Sequence, residues 1–241
     1  MKTSIVIATR NKNEELGRTL ESIYSQNLEI EFEVIVIDDG SSDYTPILLY
    51  GYALDHPDTF VYRSLDNHQY RNPSIARNVG YRLAKGEVVI AQSDDVIHMA
   101  ANSIMQLTNR LEEGTFLIAT VWDYDIKKGV RRQLLTGKRC LRPFFFLGSL
   151  WRSDLYAIGG NDEEFVAPAY DDNWFGDCLM RGLGLTPVFL DEVVGHHQQH
   201  FRPQELAKMV GPSKELYQRK VEQAHSGKIL WQSSGGPWNG S

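Results

Sequence analysis

The stretch Val88-Val89-Ile90-Ala91-Gln92-Ser93-Asp94-Asp95 decides the fold of this chain. Its apolar start predicts a buried β-strand, and two adjacent carboxylates follow where that strand ends. Burying even one unpaired carboxylate costs several kcal/mol, so a strand that only filled a core should not end this way. Ligands of open α/β sheets bind at the carboxyl edge of the strands, and Mg²⁺ or Mn²⁺ prefers oxygen ligands. The stretch therefore predicts an α/β sheet with a cation site at its edge, unless Asp94 and Asp95 only cap the next helix or lie in a solvated turn.

Strands and helices alternate on both sides of this stretch. The predicted strands cover residues 4–8, 33–37, 60–63, 88–91 and 116–122, and the predicted helices cover 14–25, 45–54, 75–84 and 101–111. Alternation at this spacing predicts a parallel sheet with right-handed crossovers. The turn after the first strand, Ala8-Thr9-Arg10-Asn11-Lys12-Asn13, lacks the glycines of a dinucleotide fingerprint, which disfavours a NAD-dependent enzyme.

The regular alternation fades from about residue 123. The next stretch, to about residue 170, is rich in aromatic and turn residues, and a helix over 171–181, a strand over 186–190 and a helix over 203–225 follow. We expect a regular half over 1–122, a second half of the same domain over 123–202, and a C-terminal helix with a flexible tail over 203–241.

The composition limits the classes of protein to consider. Among the 241 residues, 42% are hydrophobic and 23% charged, which is ordinary for a globular protein. No apolar run approaches the roughly 18 residues of a membrane span, and two cysteines make neither a disulfide framework nor a zinc site. A net charge of −6 argues against broad binding of nucleic acid. We therefore expect a soluble, cytoplasmic protein with no integral membrane span.

Three acidic pairs stand out at or beyond strand ends: Asp38-Asp39, Asp94-Asp95 and Asp171-Asp172. Together with their neighbours they carry a resemblance to a known family. The segments are Ser4-Ile5-Val6-Ile7-Ala8-Thr9-Arg10-Asn11, Val34-Ile35-Val36-Ile37-Asp38-Asp39-Gly40-Ser41-Ser42-Asp43, Ala76-Arg77-Asn78-Val79-Gly80, Gly86 through Asp95, Gly159-Gly160-Asn161-Asp162-Glu163 and Asp171-Asp172-Asn173-Trp174-Phe175. In order and spacing, the chain resembles a GT-A fold, family 2-type inverting glycosyltransferase over roughly residues 3–200.

The resemblance implies a fold and a reaction. The fold is α/β, a GT-A (Rossmann-like) mostly parallel sheet flanked by helices, with a smaller mixed region on the acceptor side. Residues 1–122 would then bind the nucleotide sugar, and residues 123–202 would bind the acceptor and carry the catalytic base. The reaction is a metal-dependent transfer of a sugar from a nucleoside-diphosphate donor, expected to be a UDP-sugar, to an acceptor hydroxyl. The metal would be Mn²⁺ or Mg²⁺, which neutralises the leaving diphosphate.

The resemblance also assigns residues to the donor and the metal. Thr9 and Arg10 would lie along the base, and Asp39 would accept a hydrogen bond from the base ring. Arg77 and Asn78 would hold base, ribose or phosphate. Asp94 would reach a ribose hydroxyl or the metal, and Asp95 would be the more direct metal ligand. Either His196 or His197 would complete the metal shell, since histidine suits Mn²⁺; a plain exposed loop is the alternative.

The last acidic pair is the expected source of the catalytic base. Asp172 would take the proton from the acceptor hydroxyl, with Asp171 orienting it, or the two roles are exchanged. The alternative is that this pair caps the following helix.

The expected acceptor site combines a glycine turn with acids and aromatic rings. Gly160, beside Gly159, would form a tight turn beneath the acceptor, and Asp162 and Glu163 would contact sugar hydroxyls unless they are solvated turn acids. Trp151 and Trp174 would stack on a sugar ring, although most aromatic side chains belong to a core.

Two other functions compete with a glycosyltransferase. A homologue that binds nucleotide sugar without turnover stays open, because Gln92 and Trp174 stand where the family often has acids. A nucleotidyltransferase shares the strand–helix start and the acidic site, but the turn after the first strand lacks its glycines. The donor sugar, the acceptor and the oligomeric state are not determined by the sequence.

Overall fold

The computed structural model describes residues 2–26, 29–66, 72–199 and 206–239. Nine strands form one sheet in the order β3-β2-β1-β4-β8-β6-β9-β5, and β7 pairs with β6. The strands are β1 Thr3–Thr9, β2 Phe32–Asp38, β3 Phe60–Ser64, β4 Val88–Ser93, β5 Val96–His98, β6 Thr115–Asp125, β7 Val130–Thr136, β8 Leu147–Trp151 and β9 Thr186–Gln198. The helices are α1 Asn13–Tyr24, α2 Thr45–Asp55, α3 Ser74–Leu83, α4 Ser103–Asn109, α5 Arg152–Ile158, α6 Asp171–Asp177 and α7 Leu206–His225.

The first four strands are parallel, as the strand–helix alternation predicts. Their apolar runs are continuous because helices cover both faces of this part of the sheet. Val6 and Ile35 point to the face covered by α3, and Ile5 and Val34 point to the face covered by α1, α2 and α4. The prediction of an α/β sheet flanked by helices is confirmed.

The second half of the sheet is antiparallel in part. β8 inserts between β4 and β6 and runs antiparallel to both. β9 runs parallel to β6 along most of its length and antiparallel to β5 at its end. The boundary expected between residues 122 and 123 falls inside β6, so the two halves share a strand. The strand predicted over 186–190 continues to Gln198.

The C-terminal elements close the fold on the α3 side. The helix predicted over 171–181 consists of α6 followed by a π-helical turn over Cys178–Gly182. The helix predicted over 203–225 begins at Leu206 in the structure, and residues 203–205 lie outside the described ranges. After α7, the Ser233 amide donates to the Ile158 carbonyl (2.8 Å) and the Trp238 amide to the Tyr156 carbonyl (2.9 Å). Where a flexible tail was expected, these bonds fix the segment 233–238 to α5.

Within the described ranges, none of the helices combines the length and the apolar character needed to cross a membrane.

Candidate active site

The carboxyl ends of β1, β2 and β4 bring two of the acidic pairs to one edge of the sheet. Thr9 pairs with Asp38 in the β1–β2 ladder, and the Asp39 amide donates to the Thr9 carbonyl at 2.8 Å. Asp94 and Asp95 follow β4, which is the other neighbour of β1. Arg10 continues from β1 at the same edge and is half-buried. Four of the residues expected to meet the nucleotide lie around this edge: Thr9, Arg10, Asp39 and Asp94. The Thr9 hydroxyl is buried there without a hydrogen-bond partner among the described residues.

The loops that follow β1 and β2 are joined to each other. The Asn11 amide donates to Ser41 Oγ at 2.8 Å, and the Ser42 amide donates to Asn11 Oδ1 at 2.7 Å. Asn11 has a φ of 53°, a left-handed conformation that asparagine tolerates better than most residues. Asp38 supports the same turn by accepting from the Ser41 amide at 2.9 Å. These bonds order the loops next to the Asp39 carboxylate.

Asp95 lies between a lysine and a histidine. Lys12 Nζ is 3.1 Å from Asp95 Oδ2, and His197 Nε2 is 3.4 Å from Asp95 Oδ1. The other ring nitrogen of His197 is 3.2 Å from Asp123 Oδ1. A second carboxylate behind a histidine fixes the orientation of the ring, as is usual for metal-binding histidines. The structure thus brings Asp95 and His197 together, whereas Asp94 lies beside them and is partly exposed.

The adjacent His196 faces the opposite side of β9. Successive side chains of a strand point to opposite faces. His196 stacks on Tyr124 with a ring distance of 4.2 Å, and its Nε2 accepts a hydrogen bond from Arg131 Nε at 2.9 Å. Burial and the Arg131 charge lower the pKa of His196. Of the two histidines expected at the metal, the structure places only His197 next to Asp95.

Gln92 supports the turn that carries the two acids. Its Nε2 donates to the Val96 carbonyl at 3.0 Å, and its Oε1 lies 3.0 Å from His98 Nε2. Burial lowers the pKa of His98 to about 4, so this ring is neutral at pH 7. The amide at position 92, where the family often has an acid, therefore holds β5 against β4 and positions the turn at Asp94 and Asp95.

Two donor groups at this edge are of types that bind divalent cations. Asp95 offers a buried carboxylate and His197 a buried imidazole, and both groups are of types that bind Mn²⁺. In the part of the chain that the structure describes, His, Cys, Asp and Glu side chains do not form a group of three or more suited to a metal. Asp95 and His197 alone would therefore not complete the coordination shell of such a cation.

The third acidic pair lies around Arg77 in α3. Arg77 Nη1 is 3.3 Å from Asp172 Oδ1 and 3.8 Å from Asp171 Oδ2. Tyr170 holds the N-cap position of α6, so both acids lie in its first turn, where the helix dipole favours negative charge. Burial and then the neighbouring Asp172 raise the pKa of Asp171 to about 6. Arg77, expected at the nucleotide, is thus seen holding the two candidate catalytic acids.

Asn78 points to the turn that follows α5. Its Nδ2 donates to the Asn161 carbonyl and to Glu163 Oε1, both at 2.8 Å, and its Oδ1 accepts from the Asn161 amide at 2.8 Å. The side chain is almost fully buried. These three bonds occupy the amide, so its visible role is to connect α3 to the residues expected on the acceptor side.

The glycine turn on that side lies beneath the C-terminal segment. Gly159 and Gly160 have φ values of 75° and 69°, and a Cβ at Gly160 would lie 2.3 Å from the Trp238 ring. Asp162 is buried, 2.9 Å from Lys220 Nζ, and accepts from Ser234 Oγ at 2.8 Å. Gly160 and Asp162 therefore fasten the end of the chain, and of the expected acceptor residues in this turn only Glu163 is exposed.

The two tryptophans expected at the acceptor lie elsewhere. Trp151 pairs with Val88 at the amino end of β4, the end opposite Asp95. Trp174 is 1% exposed, stacks on Trp231 and donates through its indole N–H to the Gln232 carbonyl. Trp174 fills the core because the C-terminal segment packs over it, so neither ring offers a face at the carboxyl edge.

Two residues of the site were not predicted from the sequence. Lys12 is four residues past Ala8 in a loop, and only the fold shows that it turns back to Asp95. Asp123 lies in β6, and only the β6–β9 register places it beside His197. The alternation of aromatic and acidic residues over 122–125 is the one sequence signal that could have indicated Asp123.

Comparison with known proteins assigns the chain to a family. The profile of the family described as "Glycosyl transferase family 2" matches residues 4–163. The chain belongs to this family. This family 2 member is 36% identical over 97 residues to the uncharacterized glycosyltransferase YfnE of Bacillus subtilis (strain 168), a match covering 40% of this chain and 24% of YfnE. It is 31% identical over 102 residues to the poly(ribitol-phosphate) β-N-acetylglucosaminyltransferase TarP of Staphylococcus aureus (strain N315), covering 42% of this chain and 30% of TarP.

Solved structures share the fold of this family 2 member. GalNAc-T7 with UDP, GalNAc and Mn²⁺ superposes with a TM-score of 0.71 at 17% identity, covering 92% of this chain and 48% of that chain. The mannosyltransferase PcManGT from Pyrobaculum calidifontis in complex with GDP-Man and Mn²⁺ has a TM-score of 0.62 at 19% identity, covering 92% and 69%. These likenesses confirm the GT-A fold. The chain spans only about a quarter to a third of YfnE and TarP.

Proposed function

We propose that this chain is a metal-dependent, inverting glycosyltransferase that moves a sugar from a nucleoside-diphosphate donor, expected to be a UDP-sugar, to an acceptor hydroxyl. The observation that carries the proposal is the contact between Asp95 and His197 at the carboxyl edge of a family 2 fold. The names of structural relatives support it, since TarS has been solved with UDP, and PcManGT with GDP-Man and Mn²⁺.

The donor would lie across the ends of β1, β2 and β4. Thr9, Arg10 and Asp39 would hold the base, because the ionised carboxylate of Asp39 is a good acceptor for a ring N–H. Asp94 would meet the ribose or the metal, and Asp95 with His197 would hold Mn²⁺ or Mg²⁺. When bound, the cation would offset the negative charge of the leaving diphosphate. Lys12 would add a second positive charge beside Asp95.

Asp172 would act as the general base. As the acceptor oxygen bonds to the anomeric carbon, its proton passes to an Asp172 carboxylate oxygen. The bond from the anomeric carbon to the diphosphate oxygen breaks, and its electron pair leaves with the nucleoside diphosphate. Attack from the face opposite the leaving group inverts the anomeric centre. Arg77 would orient Asp172 through their 3.3 Å contact, and Asp171 would share that arginine.

This proposal assigns fewer residues to acceptor binding than the sequence predicts. Glu163 stays a candidate for contact with acceptor hydroxyls, while Gly160 and Asp162 would act by holding the turn. Trp151 and Trp174 are left out for the positions described above. Cys140 and Cys178 are free thiols, which supports a cytoplasmic location as part of the proposal.

Release of nucleoside diphosphate from a panel of UDP- and GDP-sugars tests the proposal. We expect Mn²⁺-dependent release that falls at least 100-fold in Asp95→Ala and Asp172→Asn, within the range of about 10²–10⁴ for loss of a general base. Asp191→Asn is the matched control, because Asp191 is exposed and lies outside the site. Full activity in both site variants would refute the assignment. Mn²⁺-dependent UDP binding without turnover would instead indicate a non-catalytic homologue, and release of pyrophosphate from a nucleoside triphosphate would indicate a nucleotidyltransferase.

A further inference from the structure

Helix α2 exposes a continuous apolar stripe. Its sequence, Thr-Pro-Ile-Leu-Leu-Tyr-Gly-Tyr-Ala-Leu-Asp, is apolar around its whole circumference, yet only Thr45 and Leu49 are buried. A helix of that composition is normally covered on all sides. The large side chains left in solvent, with their exposed fractions, are Tyr44 (72%), Ile47 (67%), Tyr50 (58%) and Leu54 (64%). Residues three and four positions apart share a helix face, so these four form one stripe.

Gly51 makes a notch within this stripe. It lies one turn beyond Ile47 and three residues before Leu54, and a Cβ built on it meets no described atom within 4 Å. A glycine inside a helix lowers helix stability relative to alanine. Nothing in the described parts of the chain uses the missing side chain. A second helix crossing the stripe at Gly51 would use it, because small residues let helix backbones approach closely.

The charges around the stripe indicate what kind of surface covers it. Residues 44–54 contain no charged side chain, and exposed Asp43 and Asp55 stand at the two ends. Helices that lie on membranes usually carry Lys and Arg on their polar face, which α2 lacks. An uncharged stripe also gives no attraction to a charged protein partner. The stripe can, however, pack against the same stripe of a second copy of the chain. Two-fold pairing then brings no like charges together at the centre of the interface.

The area and the geometry suit such a pairing. At the exposed fractions above, four side chains of this size would remove on the order of 500 Å² from water on each copy. Two copies together would reach roughly 1,000 Å², the lower limit for a specific interface. In an antiparallel pair, the N-terminus of each helix lies beside the C-terminus of the other, which is the favourable arrangement of helix dipoles.

We propose that the chain forms a two-fold symmetric homodimer in which two α2 helices pack antiparallel through Tyr44, Ile47, Tyr50 and Leu54 and cross at Gly51. This interface does not depend on the proposed activity. The exposed acids at each end of the stripe come near those of the other copy, so added salt strengthens the dimer by screening their repulsion.

Sedimentation equilibrium and light scattering test the dimer. The mass of the wild type rises from 27.4 kDa toward twice that value as the concentration approaches about 100 µM. Ile47→Glu and Leu54→Glu stay monomeric, while Leu230→Glu, which changes an equally exposed leucine (71%) outside the stripe, dimerises like the wild type. A wild type that stays monomeric at that concentration overturns the proposal. Sedimentation of that monomer with lipid vesicles would instead indicate that a membrane covers the stripe.

Two substitutions at Gly51 separate loss of the interface from loss of the fold. Gly51→Leu fills open space in the monomer and favours the helix, so its melting temperature stays equal or rises while the dimer is lost. Gly51→Cys places two thiols at the crossing, and mild oxidation yields a covalent dimer that the wild type, with Cys140 and Cys178 alone, does not form. A Gly51→Leu variant that dimerises normally, or a Gly51→Cys variant that fails to cross-link, overturns this geometry.

Discussion

Lys12 Nζ lies 3.1 Å from Asp95 Oδ2, so a lysine contacts the carboxylate that we propose as the principal metal ligand. Both side chains are largely buried, at 17% and 6% exposure. The ammonium group thereby gives Asp95 a positive neighbour in the metal-free protein. A divalent cation at Asp95 would compete with Lys12 for the same oxygen atoms, or displace it toward the diphosphate.

Replacing Lys12 tests this competition without an activity assay. In Lys12→Met we expect the metal-free protein to lose about 1–3 kcal/mol of unfolding free energy, because Asp95 loses a buried partner. Added Mn²⁺ should then raise the melting temperature more than it does in the wild type. Lys128→Met, at an exposed turn, is the control and should change neither quantity. A smaller response to Mn²⁺ in Lys12→Met would show that Lys12 helps to hold the cation.

The two adjacent histidines of β9 form a matched pair. We expect His197→Gln to weaken Mn²⁺-dependent UDP binding by about 10-fold or more, since its ring meets Asp95. His196→Gln should leave that binding unchanged, because His196 faces Tyr124 and Arg131. Calorimetric titration with UDP, with Mn²⁺ present or chelated, measures both. Equal losses in the two variants would contradict the assignment of His197 alone.

The raised pKa of Asp171 predicts a dependence of stability on pH. Burial and then Asp172 raise this pKa from 3.8 to about 6, so the folded state favours the protonated form. The resulting stabilisation is complete below about pH 4 and disappears as the pH rises through 6. Relative to Asp171→Asn, the wild type should therefore lose about 1–3 kcal/mol between pH 4.5 and 7.5 in urea unfolding. A difference between the wild type and Asp171→Asn that stays constant over this pH range would refute the shift.

We expect a large loss of stability when one methyl group is added to the glycine turn. Gly160 has a positive φ and no room beside the Trp238 ring, so Gly160→Ala should lower the unfolding free energy by about 2–4 kcal/mol. Gly17→Ala, in the middle of α1 and with only ordinary contact to Leu48, should instead raise it by about 0.4–1 kcal/mol. Denaturant unfolding measures both. A neutral Gly160→Ala would mean that the segment around Trp238 does not rest on this turn in solution.

The regular half of the fold could be predicted from the sequence. Continuous apolar runs identified β1, β2 and β4, because helices cover both faces there, and the ends of those runs placed Asp39 and Asp95 at one edge. The insertion of β8 between β4 and β6 was not predictable, since it depends on pairing between strands more than fifty residues apart.

The details of the site depended on contacts that the sequence pattern does not encode. Alternation along a strand requires His196 and His197 to face opposite sides, but only the pairing of β9 with β5 shows which one meets Asp95. The sequence predicts that Trp174 stacks on a sugar ring. In the structure, the C-terminal segment packs against Trp174 through Trp231 and buries it in the core. The contact between Lys12 and Asp95 arises from the conformation of the loop after β1, which no residue spacing predicts.

The packing of Trp238 on the glycine turn has a consequence for biosynthesis. Trp238 follows Gly160 by 78 positions, which a ribosome adds in roughly 4–16 s. Until Trp231 and Trp238 have been synthesised, Trp174 and the glycine turn lack the rings that pack against them in the folded structure. A chaperone that shields this surface until translation passes the last tryptophan would raise the yield of folded protein.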